Sequence, residues 1–411
     1  MKIAVLTEIL STHSGSRAPI ELAKHLSLNN KVTLMAYSFK TDSKVKQELE
    51  KSGVAVILID VPNILFGKWL VAFKFLPHLK GNDIISFHGT LPVFLVARLS
   101  GIPLVQTYYG TQLDAYLERL LPYQKNNFKD KFLNFLGNKI TLLIGRVYLG
   151  LSNKVIAISQ YGSLEAKKFY GQEIPFIYLG ASLLSREKKP TTNYKLSVNI
   201  LSVSRITPYK GFHLLIEAVK DVERKVNLFI IGSSPQPKYL DYLKKIGTAN
   251  TKFFIDLSDK ELARLYQNCG IYASCDRYPF FGLPPLEAAL FGKPSVILDY
   301  CAAREIVVHQ KTGFVAKDLK EFRKYLTILI DNSILRRKMG REAKTWARET
   351  FSWNKTAKEY LRSFQTLLDK THKSLSSKKN CGAGGSRTHT IVTYHRFLRP
   401  TRLPIPPPRQ I

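Results

Sequence analysis

Apolar residues along this chain gather in short runs, separated by segments whose apolar positions recur every three or four residues. Runs at 3–6, 32–36, 54–59, 84–87, 104–107 and 155–158 are too short for helices and too continuously apolar for strands with one wet face. A parallel sheet covered on both sides requires such runs. Between them lie segments of helical spacing, the first marked by Ile20, Leu22, Ala23 and Leu26. A second series follows at 200–203, 226–231, 252–255 and 271–273, and the spacing predicts helices over about 320–330, 334–350 and 353–368. Alternation of this kind predicts an α/β fold of two Rossmann-like, doubly wound domains.

Interruptions in the pattern set the boundaries. Residues 185–199 are polar and contain Pro190, so the sequence divides into a first domain at 1–184, a linker at 185–199 and a second domain at 200–352, with a closing helix at 353–370. Residues 371–411 hold eight basic and no acidic side chains and turn Gly- and Pro-rich. They are predicted to be a disordered basic tail, of the kind that translation past a stop produces.

Charge changes the picture more than composition does. With 62 Lys and Arg against 31 Asp and Glu, the formal net charge is +31, which favours anionic partners. Cys269, Cys275, Cys301 and Cys381 form no C-x-x-C pair and sit near no His cluster, so neither a structural zinc nor a disulfide framework is expected. The chain runs directly into an apolar strand without a charged and apolar leader, and a cytoplasmic location is expected. The longest apolar stretch, 140–158, is broken by Arg146, Asn153 and Lys154 and is not expected to span a membrane.

Candidate chemistry sits where strands end. Gly15 lies in a Ser/Thr-rich loop after the first strand, without a G-x-G-x-x-G pattern. His88 and Tyr109 each follow a strand and precede a glycine. Arg205 and Lys210, five apart across a turn, place two cations over the start of the next helix, an arrangement suited to a diphosphate. The segment 276–296, DRYPFFGLPPLEAALFGKPSV, combines Asp276, a turn at Phe281-Gly282, a proline-started helix and Glu287 in its early turns. Free N–H groups at that helix start would receive a phosphate, and Glu287 would accept hydroxyl hydrogens.

This last segment resembles the signature of glycosyltransferase family 4, in which two glutamates eight residues apart bracket a Phe-Gly pair. Glu287 matches the second glutamate and Phe281-Gly282 the pair, but Pro279 stands in place of the first. Arg205 and Lys210 match the family's cations, and His88 its strand-end histidine. Glu305, before Ile306-Val307, matches a further donor-side glutamate, whose alternative reading is a capping carboxylate. Tyr109 stands where many members carry histidine, and FSWNKTAKEYL is similar to their closing helix. The resemblance spans about residues 2–368.

It implies a GT-B fold with the two domains facing across a cleft, the first binding the acceptor and the second a nucleotide sugar such as a UDP- or GDP-sugar. It implies transfer to a glycan or lipid-linked acceptor with retention of anomeric configuration, in polysaccharide or glycolipid biosynthesis. In that scheme Arg205, Lys210 and His88 act at the reacting centre, while Gly15, Tyr109, Phe281, Gly282, Glu287, Asp276 and Glu305 surround the donor. No cofactor is implied, and with no D-x-D motif in the chain no metal is expected. Pro279 keeps a member that binds without turnover in view, with Asp276 or Arg277 as substitute contacts.

Two stretches suit a peripheral position on the inner face of a cell membrane. Residues 64–80 mix Trp69, Phe73 and Phe75 with Lys68, Lys74 and Lys80, and residues 119–168 carry nine basic and two acidic side chains. The ordinary alternative for each is a core helix with solvated lysines. A basic membrane-surface adaptor on the same fold is the corresponding alternative function. No nucleic-acid reader motif occurs, so that partner is not expected.

Overall fold

The computed structural model describes residues 1–11, 17–39, 41–62, 67–111, 127–182, 198–220 and 226–381, together with residues 113, 120, 122, 124 and 222. Gly15, most of the expected linker and residues 382–411 lie outside the described residues.

The first half runs β1 (Lys2–Thr7), α1 (Arg17–Leu26), β2 (Lys31–Tyr37), α2 (Ser43–Lys51), β3 (Val54–Ile59), then α3 (Gly67–Val71), a short 3-10 turn and α4 (Leu76–Leu79). It continues with β4 (Ile84–His88), α5 (Leu91–Leu99), β5 (Leu104–Tyr108), α6 (Phe128–Leu151), β6 (Lys154–Ala157) and α7 (Gln160–Tyr170). The second half opens with β7 (Val198–Val203), a 3-10 turn at Pro208–Lys210, α8 (Phe212–Lys220), β8 (Val226–Gly232), α9 (Pro237–Ile246), β9 (Thr251–Ile255) and α10 (Asp259–Asn268). It closes with β10 (Ile271–Ser274), α11 (Leu283–Leu290), β11 (Ser295–Leu298), α12 (Ala303–Ile306), β12 (Gly313–Ala316), α13 (Leu319–Asp331), α14 (Ser333–Thr350) and α15 (Trp353–Cys381).

Each half forms a six-stranded parallel sheet, ordered β3-β2-β1-β4-β5-β6 and β12-β11-β10-β7-β8-β9. The two orders are the same doubly wound pattern, with strand order reversing between β1 and β4 and between β7 and β10. Ligands collect beyond the C-terminal strand ends at such reversals. His88 ends β4, Arg205 follows β7 and Asp276 follows β10, so the topology alone aims these residues at two crevices.

Burial follows the apolar runs. Along β1, Ala4 and Leu6 enter one apolar cluster while Ile3 and Val5 enter another, which continues to Leu286, Phe351 and Tyr360 of the second half. That shared core joins the two halves. The opposite face of the second sheet packs Ile200, Ile230 and Ala273 with Phe322 and Leu326 of α13.

Helix α15 returns to the first half. Tyr360 Oη lies 3.0 Å from Thr107 Oγ1 of β5, Thr356 Oγ1 donates to the Tyr178 carbonyl at 2.7 Å, and Trp353 stacks on His25 at 6.2 Å. The expected end at residue 370 is corrected to Cys381, because 371–381 contain neither Pro nor Gly and the first breaker is Gly382. The apolar stretch 140–158 divides at Ser152, where α6 ends and the chain turns into β6. Among the described residues no helix is long and apolar enough to cross a membrane.

Candidate active site

A cavity of about 400 Å³ lies between the two sheets, with Arg17, Tyr109 and Leu179 on the first-domain side and Arg205, Lys210 and Glu287 on the second. Its floor is set by the loop after β7. There Ser204 N donates to the Ile231 carbonyl at 3.0 Å and Ile206 N to the Ser233 carbonyl at 2.8 Å, which tie the loop to the end of β8. The turn Pro208–Lys210 closes at Gly211, whose φ is +68° and whose Cβ, if it had one, would lie 2.2 Å from the Cys275 carbonyl oxygen. Only glycine lets the Arg205–Lys210 loop press this closely on the end of β10.

Both expected cations line the cavity, each already held by a neighbour. Arg205 Nη2 donates to the Tyr209 hydroxyl at 2.9 Å, and Lys210 Nζ pairs with Asp276 Oδ2 at 2.6 Å. Asp276 Oδ1 in turn accepts Tyr278 N at 2.9 Å. Tyr209 and Asp276 therefore set the two cations in fixed directions before any anion arrives. Asp276 reaches the cavity as a partner of Lys210, so its charge is partly spent.

Helix α11 begins at Gly282, whose φ of +114° turns the chain sharply into Leu283, Pro284 and Pro285. The two prolines expected in the first turn limit the N–H donors that this start can offer a phosphate. Of the first three helical residues two are prolines, so only Leu283 among them contributes an N–H group. Phe281 is buried and packs edge-on to Phe351, anchoring the turn from below.

Glu287 is buried in α11, where Oε2 accepts the Tyr266 hydroxyl at 3.0 Å and Oε1 lies 3.5 Å from Arg17 Nη1. Burial raises its pKa, and Arg17 and Tyr266 counter part of the rise. Arg17 also pairs with Asp259 at 3.6 Å. Burial by itself disfavours the Arg17 charge, but Glu287 and Asp259 outweigh it and the guanidinium pKa is raised. Sequence reasoning missed Arg17; its only signal is its place at the head of the helix that follows the Gly15 loop.

The structure separates His88 from the cavity wall. Tyr109 lines the cavity, and His88 stands behind it with Nδ1 2.8 Å from the Tyr109 hydroxyl and Nε2 3.0 Å from Ser86 Oγ. Burial lowers the His88 pKa to about 3 and raises that of Tyr109 well above its ordinary value. Both are neutral near neutral pH. His88, expected at the reacting centre, stands one hydrogen bond behind the Tyr109 that lines the cavity.

Glu305 likewise does not line the cavity. Its Oε2 accepts Gln160 N and its Oε1 accepts Tyr161 N, both at 2.7 Å, while Ser159 Oγ takes Gly162 N at 3.0 Å. The second domain thus caps the start of α7 in the first domain with a carboxylate. Both Glu305 oxygens thus face the start of α7, which is the geometry of the capping alternative.

Comparison with known proteins adds a family match, two relatives and two similar structures. Residues 185–346 match the profile of the family glycosyl transferases group 1. The chain is 28% identical over 383 residues, 85% of its own length and 94% of the relative's, to the uncharacterized glycosyltransferase MJ1069 of Methanocaldococcus jannaschii. It is 27% identical over 435 residues, covering 90% of this chain and 98% of the relative, to the alpha-1,3/1,6-mannosyltransferase ALG2 of Dictyostelium discoideum. Among solved structures, that of Anabaena Alr3699/HepE in complex with UDP-glucose superposes with a TM-score of 0.70 at 20% identity, over 88% of this chain and all of that one. Sucrose-phosphate synthase from Thermosynechococcus elongatus superposes at 0.72 with 15% identity, covering 90% of this chain and 100% of that one. The architecture is that of GT-B glycosyltransferases.

Proposed function

Because residues 185–346 match the glycosyl transferases group 1 family, we propose that this chain moves a hexose-type sugar from a nucleotide sugar to a glycan or lipid-linked acceptor with retention of anomeric configuration. The single observation that carries the reading is the meeting of Arg205, Lys210 and Glu287 on one wall of a cleft whose other wall holds Arg17 and Tyr109. The UDP-glucose complex among the similar structures supports a nucleotide sugar as donor, in this reading a UDP- or GDP-sugar.

In this scheme the donor diphosphate lies against Arg205 and Lys210. As the bond between the sugar carbon and the phosphate oxygen breaks, negative charge grows on the leaving diphosphate, and two fixed cations in a partly dry cleft stabilise it. The acceptor oxygen bonds the same carbon from the same face, and its proton passes to a leaving phosphate oxygen. Configuration is retained without a covalent sugar–protein bond. Glu287 accepts hydrogen bonds from the nucleotide ribose, and Tyr109, held by His88, donates to the sugar. Charge neutralisation rests on the two side chains, so turnover should be unchanged by chelation of divalent metals.

One observation favours a second reading, a sugar-nucleotide binder without turnover. Pro279 offers the cavity no carboxylate, and its carbonyl is engaged by Ala302 N at 3.1 Å. A panel of nucleotide sugars, scored for thermal stabilisation and slow donor hydrolysis on the full chain beside Arg205→Ala and Glu287→Ala, separates the two. Stabilisation and hydrolysis lost in both variants support the transferase. Stabilisation without hydrolysis or transfer to any acceptor supports the binder, and no stabilisation by any donor or nucleoside diphosphate removes both.

A further inference from the structure

We propose that the outward face of α6 docks this protein on an anionic lipid bilayer. The inference is independent of the cleft, and starts from an inversion of the usual amphipathic pattern. Helix α6 is 24 residues long, yet only Asn134, Gly145 and Leu149 of it are buried. Its solvent side is the apolar one: Phe128 is 85% exposed, Phe132 56%, Phe135 57% and Leu143 60%, with Leu136 and Ile140 also open to water. At about 100° per residue these positions wind along one side of the helix. A monomer rarely leaves so continuous an apolar strip in water without a partner for it.

The charges around the strip say what the partner is. Lys129, Lys131, Lys139 and Arg146 are all exposed on the same helix. Lys139 Nζ sits 5.3 Å from the Phe135 ring centroid, so cation and apolar side chain share one face. The helix holds one acidic residue, Asp130, and that carboxylate is engaged in the capping box with Asn127. Apolar rings flanked by cations suit a surface of acyl chains beneath anionic headgroups. A second copy of the chain fits less well, since an isologous contact would set these four cations against four more. A smaller outcrop, exposed Trp69, Leu70 and Phe73 beside Lys74, lies on the short helical run that also packs on α5, as α6 does.

The test is flotation of the full chain, without donor, with vesicles of phosphatidylcholine alone or of equal parts phosphatidylcholine and phosphatidylglycerol. The parent should float with the anionic vesicles, weakly with the neutral ones, and less as salt rises. Phe132→Ser with Phe135→Ser should abolish flotation. Lys131→Gln with Lys139→Gln should weaken it roughly 30-fold, from the known contribution of each cation near an anionic surface. Both variants alter exposed side chains and should keep the parent's melting temperature, and any tail contribution is common to all three proteins. A parent that stays with the soluble fraction at low salt overturns the proposal. So do variants that float as the parent does, or a concentration-dependent dimer that the Phe changes abolish while vesicle binding persists. Donor stabilisation is read separately, so failure here leaves the transferase reading untouched.

Discussion

Arg17 Nη1 of α1 and Glu287 Oε1 of α11 lie 3.5 Å apart across the cleft, joining the two domains by a buried ion pair inside the cavity. The same carboxylate is the one proposed to meet the donor ribose, so Arg17 holds the place that a hydroxyl would take. Removing the cation should leave Glu287 buried and unpaired. Arg17→Ala is expected to cost about 3 kcal/mol of unfolding free energy, measured by denaturant titration. Arg17→Ala with Glu287→Gln should cost less than the two changes summed, since the neutral amide no longer needs the guanidinium.

Loss of either fixed cation should act on the reaction more than on the fold. Lys210→Ala and Arg205→Ala are each expected to lower kcat by roughly a hundredfold to a thousandfold, the range found when one oxyanion donor is removed. Asp276→Asn releases Lys210 from its ion pair and should change donor affinity far less. Single-turnover transfer with a saturating donor separates these effects, and a Lys210→Ala variant with parental kcat would refute the assigned role.

His88 and Tyr109 should behave as one unit. Tyr109→Phe and His88→Ala should each lower kcat/KM by about tenfold, on the scale of one buried hydrogen bond, and the double variant should fall little further. The His88 value of about 3 also predicts a sign for pH. A depressed value means that its neutral form is favoured by folding, with stability present above its ordinary 6.5 and lost as pH falls toward 3. A rate inflection near neutrality that vanishes in His88→Ala would contradict this.

A second buried carboxylate gives the opposite sign. Glu165 Oε2 accepts the Tyr108 hydroxyl at 2.7 Å and Thr111 N at 2.8 Å, and burial pushes its pKa up to about 7. A raised value contributes stability that is fully present below its ordinary 4.5 and lost as pH rises through about 7. The stability difference between the parent and Glu165→Gln should therefore change by about 3 kcal/mol over that window, seen as a flatter pH profile in the variant.

Much of this architecture was legible in the sequence because parallel strands buried on both faces are continuous apolar runs. The strand-end cations were legible too, since Arg205 and Lys210 are brought together by a local turn that five residues suffice to define. The pairing of Arg17 with Glu287 was not, because it joins residues far apart in the chain through the packing of two domains. For the same reason spacing alone could not show that His88 stands behind Tyr109 or that Glu305 spends both oxygens on Gln160 and Tyr161. The second proline at the start of α11 was visible, but its cost in donors became plain only once the helix was known to begin at Leu283.

The two hydrogen bonds from α7 to Glu305 also have a mechanical meaning. A carboxylate gripping consecutive N–H groups tolerates a small tilt but not a slide, since sliding lengthens both bonds together. The start of α7 and the Glu305 carboxylate of α12 are therefore set in one register, and any slide of one domain along the other has to break both bonds at once.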